Sequence, residues 1–146
     1  MRSLMYLLAL IFAGFMVSCS SDQAEPINLN KDMCDYCRMN ISDGRFGAEV
    51  MTEKGRYYKF DDMKCLVHYS EEKPNGPIKY YFIHDFTKNN KLIDATTAHF
   101  VWSKEFKSPM RGNIAAFADK AEADAVAKEQ GSQVENWENA KKRILE

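Results

Sequence analysis

Along residues 46–145 the apolar positions come in short runs separated by turn-forming residues. Residues 46–52 and 56–60 are β-rich and are joined through Glu53-Lys54-Gly55, a short hairpin in which Gly55 supplies the unusual turn dihedral. Asp61 or Asp62 then caps a helix reaching about Glu71. Its Met63, Leu66 and Val67 follow helical spacing, and Pro74-Asn75-Gly76-Pro77 ends it. Residues 78–86, with Tyr80, Tyr81, Phe82 and Ile83, read as a well-buried strand. Asn89-Asn90 turns into 91–94, and 98–102 is another strand. A loop over 103–113 precedes a short apolar strand at 114–118. Asp119-Lys120-Ala121-Glu122 is a capping-box pattern opening an alanine-rich helix to Gln130, with Gly131 suited to its stop. Val134 marks a last strand, and 137–145 a short terminal helix. The expected fold class is α+β: two small related strand-strand-helix-strand modules with antiparallel sheet, spanning about 33–76 and 77–146.

The first residues follow a different pattern. Arg2 gives a positive start, and residues 4–17 form an apolar stretch shorter than the ~20 residues a membrane span requires. Met16-Val17-Ser18 before Cys19 has the form of a lipobox. Residues 1–18 are therefore expected to be a lipoprotein signal peptide, with Cys19 carrying the lipid. The polar stretch that follows cannot bury a core, so residues 19–32 read as a lipid-anchored tether. Several acyl chains give stable anchoring where one gives marginal binding. The expected location is the bacterial cell envelope, facing the periplasm, with Ser20 after the lipid cysteine favouring the outer membrane over the inner.

Composition narrows the function further. The formal charge of −1 becomes about −2 once Arg2 is removed with residues 1–18, and the basic run Lys141-Lys142-Arg143 sits where a helix ends. Nucleic-acid binding is not indicated. No dinucleotide fingerprint, phosphate loop or nucleophile-turn motif is present.

Cys34-Asp35-Tyr36-Cys37-Arg38-Met39 places two thiols and a thioether within six residues. Mixed thiolate and thioether donors are what soft Cu(I) selects, whereas zinc sites have no use for a neutral methionine. Cys37 and Met39, two apart in an extended segment, point to one side. Cys34 reaches the same centre through a tight turn. Such an incomplete shell suits a carrier, because a recipient adds its ligand before the donor lets go. His99 and His68 are further donor candidates ahead of His84, and Met110 is an outside candidate. Cys65 reads as a small buried hydrophobe, with a third thiol facing the metal segment as the alternative. After Cys19, three cysteines remain, an odd number that speaks against a purely structural disulfide framework.

The Cys19 lipobox, Cys34-x-x-Cys37-x-Met39, Phe60-Asp61-Asp62 with Cys65-Leu66, the segment 94–101, Ser108-Pro109-Met110 leading to Ala116-Phe117, and the alanine-rich helix ending near Gly131 together resemble the NosL family. These are copper-binding accessory lipoproteins of nitrous oxide reductase. The resemblance implies Cu(I) binding and delivery of copper for maturation of that reductase, to an envelope assembly complex or to the reductase. It also implies a fold of two related modules similar to that of organomercurial lyases. Cys37 and Met39 match the family's proposed ligand pair, and a histidine has been suggested there as a further ligand. Arg38 and Arg111 stand where glycine is usual in such motifs. The competing readings are an envelope thiol-disulfide protein, or a structural lipoprotein, using the Cys34–Cys37 pair. The chain is not expected to be an enzyme.

Overall fold

The computed structural model describes residues 23–72 and 75–146. The lipobox, with Cys19, lies outside the described residues. Among the described residues, seven strands and three α-helices follow in the order β1 (Ala48–Thr52), β2 (Tyr57–Phe60), α1 (Met63–Glu72), β3 (Ile78–His84), β4 (Leu92–Asp94), β5 (His99–Trp102), β6 (Ile114–Phe117), α2 (Lys120–Glu129), β7 (Val134–Glu135) and α3 (Trp137–Leu145). A 3-10 turn, Lys104–Phe106, lies between β5 and β6.

The strands form two antiparallel sheets, ordered β2-β1-β3-β4 and β6-β5-β7. Strand β3 pairs with β1, placing Ile83 opposite Ala48 and Tyr81 opposite Val50. The strand assigned from sequence to the second module therefore closes the first, and the boundary between modules falls after β4 rather than after Gly76. Each module then opens strand-strand-helix-strand, with its first strand inside its sheet; β4 is added to the first and α3 to the second. Beyond β3 the chain turns toward the second sheet. The Phe86 amide donates to the Ala116 carbonyl at 2.8 Å, which ties the two modules together.

Alternation of side chains across a strand decides where the core lies. Ala48 and Val50 of β1 and Ile83 of β3 enter a main core with Met63, Leu66 and Val67 of α1. On β5, Phe100 faces this same core, where Trp137 and Ala140 of α3 also pack. Val101, Ala115 and Phe117 face the opposite way, into a second core with Ala123 and Ala127 of α2. The second sheet is thus covered on both faces.

The described part of the expected tether lies on the first sheet. The Glu25 amide donates to Glu49 Oε1 at 2.8 Å, Lys59 Nζ donates to the Pro26 carbonyl at 2.8 Å, and Ile27 is buried. Ile27 belongs to the main core, and its carbonyl accepts from Asn90 Nδ2 at 3.1 Å. A single buried isoleucine and donors from β2 and the β3–β4 turn fix a segment whose polar composition suggested none of this.

Candidate metal site

The segment 33–40 folds back on itself. Met33 and Asn40 form an antiparallel bridge, the Cys34 amide donates to the Met39 carbonyl at 2.8 Å, and the Arg38 amide donates to the Cys34 carbonyl at 3.0 Å. Two bonds dock this loop on β2: Asp35 N–H to the Lys59 carbonyl at 2.8 Å, and Lys59 N–H to Asp35 Oδ2 at 2.7 Å. Tyr36 docks it on α1, its ring stacked 5.9 Å from that of His68 and its hydroxyl donating to Glu72 at 3.0 Å.

Opposite the loop stands the start of α1. Asp62 caps it, its Oδ1 accepting from the Lys64 amide at 2.8 Å. Asp62 Oδ2 reaches the other way, accepting from Ser108 Oγ at 2.6 Å and the Met110 amide at 2.9 Å. Gly112 closes beside it, where a Cβ would stand 2.5 Å from Asp62 Oδ1. With Asp62 occupied as cap and loop anchor, Asp61 is turned to the sulfur loop. Cys37 Sγ donates to its carboxylate at 3.4 Å.

Cys65, in the first turn of α1, completes the group. One donor atom each from Cys34, Cys37, Asp61 and Cys65 lies within 4.8 Å of the others. Cys34, Cys65 and Asp61 are buried and Cys37 is half-buried, so the cluster has one accessible sulfur. All three cysteines are free thiols.

The thiols are not equivalent. Cys34 is pushed down to about 6, first by the Cys65 thiol donating to it, then by amides of Cys37, Asp61 and Tyr36, against the opposing effect of burial. Cys65 is pushed up because its proton is shared with Cys34. Burial pushes Cys37 up to about 11, with the neighbouring Cys34 adding to it. In the metal-free site the charge is therefore favoured on Cys34 and the protons on Cys65 and Cys37. Metal binding at these sulfurs would release protons. A dithiol oxidoreductase needs the reverse, an accessible cysteine with a depressed pKa. Three sulfurs suit a soft metal, and Asp61 offers a single oxygen beside them.

The NosL family model matches residues 26–145. The chain belongs to the NosL family. It is 25% identical, over 154 aligned positions, to the copper-binding lipoprotein NosL of Stutzerimonas stutzeri; the alignment covers 96% of this chain and 81% of the relative. Its fold is similar to the crystal structure of the copper chaperone NosL from Shewanella denitrificans. That match has a TM-score of 0.68 at 21% identity, covering 80% of this chain and 93% of the other.

Within this NosL fold the residues singled out from sequence fall into three groups. Cys34 and Cys37 sit in the cluster, and Met39 is tied to it through its carbonyl and is 44% exposed. His68 lies three residues beyond Cys65 on α1, against Tyr36. Met110 is half-buried against the main core, on the loop anchored by Asp62. His99 is elsewhere: it shares the α2-facing side of β5 with Val101, in a groove with Lys120, Asp124 and Lys128. His84 is fully buried beneath residue 47, away from the sulfurs.

Sequence reasoning undervalued two members of the cluster. By pattern either aspartate can cap the helix, yet Asp62 takes that role and leaves Asp61 free for the site. By pattern Cys65 reads as core filler; it is buried, but against two other thiols. The odd thiol count and the doubled aspartate were the signals that pointed to them.

Proposed function

We propose that this chain is a lipid-anchored Cu(I)-binding metallochaperone that delivers copper for maturation of nitrous oxide reductase. The observation that carries the reading is the set of three thiols and one carboxylate gathered within 4.8 Å at the start of α1. Three sulfurs match Cu(I), a soft ion without a fixed coordination geometry, better than they match a hard cation. The names borne by the two relatives, a copper-binding lipoprotein and a copper chaperone, agree with it.

Cys37 is the entry ligand, since it alone of the three sulfurs is accessible. Cys34 and Cys65 supply buried thiolates behind it. Met39 contributes its thioether from the rim, where it can exchange with a recipient's ligand. The role is one of binding and transfer, not catalysis. The anchor is Cys19, the location is the periplasmic side of the envelope with the outer membrane favoured, and the recipient is an assembly complex for the reductase or the reductase itself. No helix among the described residues is long and apolar enough to cross a membrane.

Anaerobic titration of the reduced protein with Cu(I) against a competing chelator, with Zn(II) in parallel, tests the reading. One tight Cu(I) equivalent, weakened by Met39→Ala and lost with Cys37→Ala, is the expected result. A preference for zinc, or no tight uptake, would refute it.

A further inference from the structure

Two loops meet at Asp61-Asp62: the sulfur loop through Cys37, and the segment 107–113 through Ser108 and Met110. Six non-glycine residues of the described chain have positive φ. Three are asparagines, which tolerate the left-handed region. The other three are Arg38 (φ 66°), Lys107 (φ 49°) and Arg111 (φ 59°), all cations and all on these two loops. Left-handed backbone is costly for long side chains, and strain of this kind collects at functional surfaces.

The charges are also unspent. Arg38, Lys64, Lys107 and Arg111 form no ion pair among the described residues, a state they share with Lys31, Lys54, Arg56, Lys91, Lys104 and Lys128; these four gather on or beside the two loops that meet at Asp61-Asp62. Acids close to the site are engaged: Asp61 and Asp62 are buried and bonded, Asp35 accepts from Lys59, and Glu72 holds Tyr36. Glu105 is the one acid on the 3-10 turn just before this loop. The sulfur loop also carries Met33, Tyr36 and Met39, three of the five large apolar side chains that the described surface exposes. Apolar, sulfur-bearing side chains on a loop beside unpaired cations have the make-up of an interaction surface.

We propose that this face docks a metal-acceptor protein that offers a thiolate or thioether ligand within a rim of carboxylates. This deepens the carrier reading by naming the docking face and the partner's chemistry, and it rests on that reading. Lipid phosphates would also attract the cations. A protein partner is favoured because the loop that bears Arg38 also carries the accessible sulfur and two exposed thioethers, for which a lipid surface has no matching ligand.

The test uses the full chain, reduced and metal-free, and two fluorescent peptides with the same Met-x-Cys core, one flanked by glutamates and one by lysines. Anisotropy is expected to show the glutamate peptide binding about tenfold tighter at low salt, with the advantage lost when salt shortens the screening length. Arg38→Glu with Arg111→Glu should abolish the preference, while Lys54→Glu with Lys128→Glu, an equal change of charge outside the two loops, should keep most of it. Arg38→Gly with Arg111→Gly guards against misfolding, because glycine relieves both positive φ values; it should lose the preference and unfold no more easily. Equal binding of the two peptides, or an equal loss in the remote pair, would overturn the proposal. So would loop variants that change binding to phosphatidylserine vesicles but not to peptide. Copper titration of the same samples separates the two ideas, since failure to take up copper refutes the carrier reading while the metal-free anisotropy still judges the docking face.

Discussion

The two modules share a plan and differ in what they do with it. Both open strand-strand-helix-strand, both place the first strand inside the sheet, and both cap the helix with an aspartate, Asp62 in the first and Asp119 in the second. In the first, the residue before the cap is Asp61 and the third after it is Cys65. In the second, these positions hold Ala118 and Glu122, and Glu122 serves a surface contact with Thr87 and Lys88. The first module also receives the 33–40 loop, docked by Asp35 and Tyr36. A shared architecture thus carries a sulfur cluster in one copy and none in the other, so the site belongs to a few grafted residues and not to the fold.

The burial of charge follows the same division. The fully buried ionisable acids and histidine, Glu49, Asp61, Asp62, His84 and Asp85, all lie in the first module or at its end. The second buries none of these among the described residues, and packs α2 through Ala123 and Ala127. The first module sacrifices packing simplicity for a polar interior, and its behaviour should respond to pH and mutation accordingly.

The largest expected effect separates the cluster from its counterpart. Replacing Cys37, Cys34 or Cys65 by alanine should weaken Cu(I) binding on the order of 100-fold or more, at least the upper end of what loss of a supporting contact costs a metal site. Glu122→Ala, at the position corresponding to Cys65, should leave it unchanged. Competition with a chromophoric Cu(I) chelator reads both.

Next come the buried ionisable groups of the first sheet. Burial holds His84 down to about 4 from an ordinary 6.5, and neither ring nitrogen has a hydrogen-bond partner among the described residues. Its depressed value means that the unfolded chain binds the extra proton, so stability is lost as pH falls from about 6.5 toward 4. Glu49 is pushed up by burial to about 7 from 4.5, with Oε2 unpartnered. Its contribution is present below pH 4.5 and is lost as pH rises through 7. Each shift corresponds to about 3 kcal/mol. Between pH 4.5 and 6.5 the two slopes oppose each other. Urea unfolding across pH should show stability falling with acid in Glu49→Gln and falling with alkali in His84→Gln. Equal pH profiles for both variants would remove this account of the first sheet.

A smaller contrast compares the caps. Asp119 is exposed and bonds the amides of Ala121 and Glu122, so Asp119→Ala should cost about 1 kcal/mol. Asp62→Ala loses a comparable cap and also leaves the Ser108 hydroxyl proton and the Met110 amide without their acceptor, raising the cost to roughly 2–3 kcal/mol. Chemical unfolding of the reduced protein measures the difference, and equal losses would mean that the 107–113 loop is held by something other than Asp62.

The elements were legible because their signals are local. The Asp119 cap, the Gly55 turn (φ 73°) and the Gly131 stop (φ 61°) each depend on a few neighbouring residues and lie where their patterns place them, although Glu122 bonds Thr87 and Lys88 and does not close the capping box. The module boundary was not legible, since the pairing of β3 with β1 is made across α1 and leaves no mark in residues 78–84. The same limit applied to the site. Cys34 and Cys37 stood out by spacing, but Cys65 and Asp61 join them only when α1 packs against the loop. His99, equally suggestive in sequence, falls on the far face because of the parity of one strand.

Copper K-edge X-ray absorption on the Cu(I)-loaded full chain tests the central claim most directly. The account predicts a Cu(I) edge with a shell dominated by sulfur, which loses a sulfur neighbour in Cys65→Ser. A shell dominated by nitrogen or oxygen, or one untouched by Cys65→Ser, would contradict the placement of the copper site at the start of α1.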